Sequence, residues 1–217
     1  SDIELFYENL LKTDSLALIK EFKINFVNIP ASQLVIGYSD LIDSLSIQLG
    51  KKVNPLQIRD HGLTIPKDSF NDFFNSLVHL FRNCMDHGIE TADVRESSGK
   101  SLSGNISIDF KTHFDNGIDW IIIEVADDGA GINPESIRTK LKEKDPSQDF
   151  DSIQDSEIIY KIFDPEFSTA EALTEVSGRG VGMSAIKQAV DLNNGEILIQ
   201  SKVGAGSRFT FKLPNKT

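Results

Sequence analysis

The stretch HLFRNCMDHGIE, residues 79–90, ends a long amphipathic pattern. Within it and before it, apolar side chains recur three or four positions apart, as they do on the buried face of a helix. This spacing predicts a helix over residues 69–87, with Ser69 as its N-cap and Gly88 as its end. We expect it to be the central helix of the fold.

The polar face of this helix carries His79, Asn83 and His87. At about 100° per residue, these side chains point to one side and are predicted to face one cavity. His-x-x-Arg suggests a phosphate-accepting histidine, although no helix-bending proline follows. A zinc site would need a third ligand, and the other histidines have no suitable spacing. The oxygens of Asn83 and Asp86 favour a hard cation such as Mg²⁺, and a plain polar surface is the fourth interpretation.

Helices alternate with strands along the chain. Ser39 and Gly50 are predicted to cap one helix, and Asn116-Gly117 predicts a hairpin turn. The pattern predicts a two-layer α/β (α+β) sandwich with a mixed, largely antiparallel sheet and helices on one face. The other predicted helices cover 39–49, 134–144, 155–163 and the region before Gly195, and the strands cover 56–59, 63–65, 104–114, 119–127 and two segments within 196–214.

Composition limits the possible functions. The chain has 217 residues and a formal net charge of -11, which disfavours nucleic acid and anionic membrane surfaces as partners. No apolar run is long enough to span a bilayer and no signal peptide is evident, so we expect a cytoplasmic protein. The single cysteine, Cys84, excludes an intramolecular disulfide and is predicted to lie in the core. Residues 1–28 are predicted to be a helical linker or truncated segment, and residues 29–217 to form one domain.

Three later stretches have residues that a packed core would not favour. In EVADDGAGI, residues 124–132, a strand runs into Asp127 and two glycines, so a carboxylate could accept a hydrogen bond from an exocyclic amine while the backbone approaches a flat ring. In SGRGVGMS, residues 177–184, glycines before a helix let backbone N–H groups point at an anion. Singly, each also fits an ordinary turn, as does GAGSRFTF at 204–211.

Together and in this order, the four stretches resemble the N, G1, G2 and G3 boxes of the ATP-binding domain shared by histidine kinases, gyrase-type ATPases and related chaperones. This resemblance implies a Bergerat-type ATP-binding fold. HLFRNCMDHGIE, SDLIDSLSIQLGKKV at 39–53 and IFDPEFSTAEALTEVSGRGVGMSAIK at 162–187 are more specifically similar to pieces of the chemotaxis kinase family CheA. The resemblance covers residues 29–214.

The resemblance implies roles for individual residues. It implies that Asn83 coordinates Mg²⁺ at the phosphates of ATP and that Asp127 accepts a hydrogen bond from the adenine N6. His79 and His87 are implied to lie near the triphosphate, with Asp86 beside them, so the implied catalytic set is His79, Asn83 and His87. The segment 164–182 corresponds to a lid over the phosphates. The other implied nucleotide-binding residues are Gly129, Gly131, Ile132, Phe163, Ser168, Thr169, Gly178, Arg179, Gly180, Val181, Gly182, Met183 and Ser207.

The implied activity is that of a protein-histidine kinase, which binds Mg-ATP and transfers the γ-phosphoryl group to a histidine on a separate phosphotransfer domain, with a response regulator downstream. Gyrase-type members use a glutamate four residues before the metal-binding asparagine as general base for water, and here His79 stands there, as in CheA. The alternatives are a regulatory nucleotide-binding module (pseudokinase) and a gyrase-like or chaperone-like ATPase. We expect the isolated domain to be a monomer and its parent a dimer. Two departures are Ala130, where CheA-like sequences often have arginine, and a polar insertion at 142–157.

Overall fold

The computed structural model describes residues 18–19, 22, 26–165, 167 and 182–215. Its strands are β1 (Asn28–Pro30), β2 (Gln57–Arg59), β3 (Thr64–Pro66), β4 (Ile106–Asp115), β5 (Ile118–Asp127), β6 (Glu196–Lys202) and β7 (Gly206–Pro214). Its α-helices are α1 (Gly37–Leu49), α2 (Asn71–Asn83), α3 (Ala92–Ser97), α4 (Pro134–Lys144), α5 (Asp155–Ile158) and α6 (Met183–Leu192). A π-helical turn (Cys84–Gly88) follows α2, and 3-10 turns lie at Ala31–Leu34 and Ile159–Phe163. Among these residues, no helix has both the length and the apolar character needed to cross a membrane.

The larger sheet of the described residues has the strand order β2-β4-β5-β7-β6. β2 runs parallel to β4, whereas the other neighbours are antiparallel, and β1 pairs separately with β3. The turn between β4 and β5 has φ 51° at Asn116 and φ 81° at Gly117, as a two-residue hairpin requires. The predicted mixed, largely antiparallel sheet and its hairpin are therefore confirmed.

The hydrophobic core lies between one face of this sheet and the helices. Ile108, Val125 and Phe209 are paired across three neighbouring strands and are all buried, because alternate strand residues share a face. From the helix side, Phe73 of α2 meets Phe211 with ring centroids 5.1 Å apart. Burying each such side chain contributes about 1.5–3 kcal/mol. The opposite face carries ion pairs between charged side chains, so the helices cover one face, as predicted.

The start of the central helix differs from the prediction. α2 begins at Asn71, and its N-cap is Phe70 rather than Ser69. Phe70 has φ 61°, a left-handed conformation that costs about 1–2 kcal/mol for a residue with a side chain. Its ring is buried, and burial of a phenylalanine contributes about as much or more. Core packing therefore overrides the local capping signal.

Helix α1 starts before its predicted cap and ends where predicted. Ile36 already has helical dihedrals, φ -60° and ψ -33°, so Ser39 lies inside the first turn and the predicted N-cap is wrong. The helix starts earlier because the N–H groups of Tyr38 and Ser39 already donate to the carbonyls of Val35 and Ile36, at 3.0 and 3.1 Å. At the other end Gly50 has φ 63°, which confirms it as the C-terminal glycine.

The polar segment 142–157 is folded against α4 by Arg138. Its guanidinium donates to the carbonyls of Phe150 at 3.2 Å and Ile153 at 2.7 Å, and it pairs with Asp155 at 2.7 Å. Phe150 is buried. One arginine thus gives a defined structure to a segment that has no hydrophobic period.

The predicted domain boundary falls within the first strand. β1 begins at Asn28, and the carbonyl of Val27 accepts the N–H of Lys67 at 3.1 Å. The division into residues 1–28 and 29–217 stays a prediction.

Candidate functional site

The carboxylate of Asp127 is the central acid of the candidate site. Asp127 ends β5 two positions after the buried Val125, so its side chain turns to the helix side of the sheet. Its Oδ1 accepts the N–H of Gly129 at 2.9 Å, and the Cys84 Sγ lies 3.9 Å from its Oδ2. Burial raises the pKa of Asp127 to about 6, although hydrogen bonds from the Gly129 and Ser207 amides oppose the rise. The site therefore holds a carboxylate whose charge is incompletely solvated.

The loop after Asp127 packs directly on the end of the central helix. The N–H of Ala130 donates to the carbonyl of Gly88 at 2.8 Å, and a Cβ atom at Gly129 would overlap that carbonyl. Position 129 requires glycine because two backbones meet there. The role predicted from the sequence was to make room for adenine, and the structure adds this packing role.

We expect Gly129→Ala to lower the free energy of unfolding by about 1–3 kcal/mol, the usual cost of forcing an extra carbon into a packed contact. Gly37→Ala is the matched control, because a Cβ there meets no atom within 4 Å and lies at the start of α1. The control should be neutral or slightly stabilising. Urea unfolding measures both, and equal stabilities of the two variants would contradict the packing role.

The β6–β7 hairpin closes against the same loop. Gly131 has φ 73° and Gly206 has φ 98°, both in the left-handed region that favours glycine. A Cβ at Gly131 would overlap the carbonyl of Lys202, and one at Gly206 would overlap the carbonyl of Asp127. The stretches 79–90, 124–132 and 204–211 are therefore brought together by close backbone contacts.

A buried arginine that no sequence pattern predicts anchors this assembly. Arg95 is 1% exposed, and it donates to the carbonyl of Ser101 at 2.7 Å. It pairs with Glu90 at 3.0 Å and with Asp128 at 3.1 Å. Lys100 pairs with Glu90 at 2.7 Å. Burial alone would raise the pKa values of Glu90 and Asp128. Hydrogen bonds from their partners outweigh it, so both pKa values are lowered.

This network also holds the loop after Asp127 through its backbone carbonyls and through the Asp128 carboxylate. The Nζ of Lys100 donates to the carbonyls of Asp128 at 3.0 Å and Gly129 at 2.6 Å, and Asn105 donates through its backbone N–H to Asp128 at 2.9 Å. The residues come from separate segments and share no sequence period. Only the tertiary structure brings them together.

The polar face of the central helix changes geometry at its end. Asn83 is the last residue of α2, and Asp86 and His87 lie in the π turn. The regular 100° spacing used for the prediction therefore applies to His79 and Asn83 only. His87 is exposed, whereas the other three side chains are partly buried. Burial and the charge of Arg82 lower the pKa of His79, so this imidazole is neutral at pH 7.

The Asn83 side chain makes no hydrogen bond within the described part of the chain. In the same part, no group of three or more His, Cys, Asp or Glu side chains is arranged to hold a metal ion. The zinc interpretation thus has no ligand set among these residues. An amide oxygen without a partner is compatible with a cation that takes most of its ligands from water or phosphate.

The remaining predicted site residues have varied surroundings. Ser207 is buried, and its hydroxyl lies 3.1 Å from the Oγ of Ser201, which accepts the N–H of Ile132 at 2.8 Å. The side chains of Phe163 and Met183 belong to the hydrophobic core. Gly182 immediately precedes α6, which has no side-chain cap. A groove of about 310 Å³ opens beside Asp127 and is lined by residues of β5, β6 and β7 and of the β6–β7 turn. The predicted residues Ser168, Thr169, Gly178, Arg179, Gly180 and Val181 lie outside the described residues.

Comparison with known families identifies the fold as that of one class of ATPase domain. The family model described as histidine kinase-, DNA gyrase B- and HSP90-like ATPase matches residues 74–217, and the chain belongs to this family. The predicted ATP-binding fold is therefore confirmed.

Within this family the chain is similar to CheA. The chemotaxis protein CheA of Borreliella burgdorferi is 39% identical over 86% of this chain, and that of Treponema pallidum is 36% identical over 86%. The gliding motility regulatory protein of Myxococcus xanthus is 36% identical over 86%. The chain spans 21%, 22% and 24% of these three relatives. The solved catalytic domain of histidine kinase ThkA covers 88% of this chain and 96% of its own length, with 18% identity and a TM-score of 0.48.

Proposed function

We propose that this domain binds Mg-ATP and transfers the γ-phosphoryl group to a histidine on a separate phosphotransfer domain, as the catalytic domain of a CheA-like kinase. The observation that carries the proposal is the half-buried carboxylate of Asp127, joined through its loop to the end of the helix that carries Asn83. Similarity to chemotaxis proteins supports the choice of a signalling kinase. In this proposal a response regulator takes the phosphoryl group onward, and the parent protein is a cytoplasmic dimer.

The chemistry of Asp127 fits an exocyclic amine. A carboxylate has about four lone-pair positions, and the amides of Gly129 and Ser207 use only some of them. Its raised pKa reflects missing solvation, which an N–H donor from a ligand would replace. Asp127 would thus orient the adenine ring, and the close backbone contacts of Gly129 and Gly131 would hold the loop that follows it.

The polar residues at the end of the central helix have the chemistry to bind a hard cation and phosphates. The Asn83 oxygen would hold Mg²⁺, which would neutralise phosphate charge when bound. His79 and His87 would lie on the phosphate side, with Asp86 as a further polar contact. Phosphoryl transfer depends mainly on positioning and on charge neutralisation, which these groups and the amides before α6 would supply.

His79 favours transfer over hydrolysis. It stands four residues before Asn83, where gyrase-type ATPases have a glutamate that activates water. Without a carboxylate at that position, we expect slow ATP hydrolysis by the isolated domain. Rapid hydrolysis with no acceptor present would favour the ATPase alternative.

A transfer assay tests the kinase proposal. Radiolabelled ATP is incubated with the domain and candidate phosphotransfer domains, and label is followed on the acceptor. Label on an acceptor histidine supports a kinase. Tight Mg-ATP binding with no label, even after fusion to a dimerising helix pair, would favour the regulatory module.

Asn83→Ala should remove the metal-dependent part of ATP affinity. We expect Mg²⁺ to strengthen ATP binding at least tenfold in the unaltered domain and less than twofold in the variant, because about one charged interaction is lost. Calorimetry in Mg²⁺ and in EDTA measures the difference. Asn75→Ala, an exposed asparagine on the same helix, is the control. An unchanged Mg²⁺ effect in Asn83→Ala would remove Asn83 from the metal site.

A further inference from the structure

A lysine outside the four recognised stretches caps the end of the central helix. The Nζ of Lys51 donates to the carbonyl of Met85 at 2.7 Å and to that of Asp86 at 2.8 Å. Both carbonyls belong to the π turn Cys84–Gly88, where the helix ends. Carbonyls in the last turn of a helix have no partner within the helix and carry its partial negative charge. An ammonium group there donates hydrogen bonds to two such carbonyls and also balances their partial negative charge.

The end of α1 determines where Lys51 points. The N–H of Lys51 donates to the carbonyl of Ser46 at 3.1 Å, and the N–H of Gly50 to that of Ile47 at 3.3 Å. With Gly50 at φ 63°, this is a Schellman motif, which fixes the residue after the glycine. The Ser46 hydroxyl also donates to the Lys51 carbonyl at 2.7 Å. Lys51 is therefore held on both sides of its Cα.

The π turn that Lys51 caps is the joint between the two halves of the site. Asn83 directly precedes it, and its last residue, Gly88, accepts the N–H of Ala130 from the Asp127 loop. Its geometry therefore affects the metal side and the adenine side together. At the end of the turn, the N–H of Ile89 donates to the carbonyl of Cys84, five residues earlier, at 2.7 Å.

We infer that Lys51 is a positioning residue, which holds the Cys84–Gly88 turn in the conformation that presents Asn83 and receives the Asp127 loop. The inference rests on the proposed nucleotide site. Lys51 acts through backbone carbonyls and, among the described residues, its side chain makes no hydrogen bond to Asn83 or Asp127. Burial lowers the pKa of Lys51, although the charges of the neighbouring carboxylates, Asp86 and Glu90, favour its ammonium form.

Lys51→Met, Lys51→Arg and Lys52→Met test this role. Met keeps the length and apolar stem without the charge, whereas Arg keeps the charge and donors. Lys52 is the matched control, because it is adjacent, exposed and makes no ion pair within the described residues. Two properties are measured well below the unfolding temperature: hydrogen exchange of the Ile89 amide and the Kd for Mg-ATP.

We expect Lys51→Met to accelerate Ile89 exchange about tenfold and to weaken Mg-ATP binding about tenfold, the effect of losing a charged hydrogen bond. Lys51→Arg should restore most of both, and Lys52→Met should change neither. If Lys51→Met lowers only the melting temperature, with exchange and Kd unchanged, the residue is merely structural and the inference is wrong. If Lys51→Met does not fold, Lys51→Gln gives the same two measurements. An unaltered domain that fails to bind Mg-ATP would overturn the proposed function, whereas Ile89 exchange would still decide whether Lys51 holds the turn.

Discussion

Asp127→Asn is expected to weaken Mg-ATP binding about 100-fold and, at pH 7.5, to make the domain more stable. Binding weakens because the amide is a poorer acceptor than a carboxylate, and a hydrogen bond to a charged group contributes about 1.5–3 kcal/mol. Stability rises because burial disfavours the ionised carboxylate and raises its pKa to about 6. A rise of about two pKa units corresponds to about 3 kcal/mol. The substitution also weakens the hydrogen bond from the Gly129 N–H, which offsets part of this energy. We therefore expect a net gain in stability of about 1 kcal/mol.

The pH dependence has a defined sign. The pKa of Asp127 is about 6 in the folded domain and about 3.9 when unfolded, so the folded state holds the proton more tightly. Its stabilising contribution is complete below about pH 4 and is lost as the pH rises through about 6. The stability advantage of Asp127→Asn should therefore shrink between pH 7.5 and pH 5. Nucleotide affinity of the unaltered domain should fall over the same range, because protonation removes the charged acceptor.

Calorimetry gives the affinities, and thermal unfolding at several pH values gives the stabilities. Asp43→Asn is the control, since Asp43 is an exposed aspartate of α1. This control should bind Mg-ATP normally and show no such pH dependence. Unchanged affinity in Asp127→Asn would refute the assignment of Asp127 to adenine, whatever its stability.

The sequence was sufficient to predict those helices and turns that depend on neighbouring residues. The amphipathic period predicted α2, the Asn116-Gly117 pair predicted the β4–β5 hairpin, and Gly50 predicted the end of α1. Each depends on backbone geometry or on one buried face, so neighbouring residues carry the information. The order of four short stretches then indicated the family, which is confirmed.

Other features depend on residues that only the folded chain brings together. Lys51 and Arg95 act on segments distant in sequence, so no spacing announces them. The caps predicted at Ser39 and Ser69 failed because a preceding turn and a buried phenylalanine decided the helix starts. The predicted role of the glycine-rich stretch 177–184 stays a prediction, because only its final residues, 182–184, are among those described.

Arg95→Met should cost about 3–4 kcal/mol of stability, because it removes the buried cation that pairs with Asp128 and leaves Lys100 as the cation that faces Glu90. The guanidinium is 1% exposed and pairs with both Glu90 and Asp128. Its loss also leaves the Ser101 carbonyl without its donor. Urea unfolding measures the cost, and Arg59→Met, at an exposed arginine of β2, should stay within about 0.5 kcal/mol.

Adjacent aspartates then give opposite results, which makes the network testable. Asp127→Asn should stabilise the domain at neutral pH, whereas Asp128→Asn should destabilise it, because Asp128 balances the buried Arg95. The double variant Arg95→Met with Asp128→Asn should lose less stability than the sum of the losses in the two single variants. We expect the difference to be at least about 1 kcal/mol, because both substitutions remove the same interaction. Additive costs would mean that Glu90 alone balances the arginine. In that case the Asp127 loop would be held chiefly by Lys100 and by the Gly88 carbonyl.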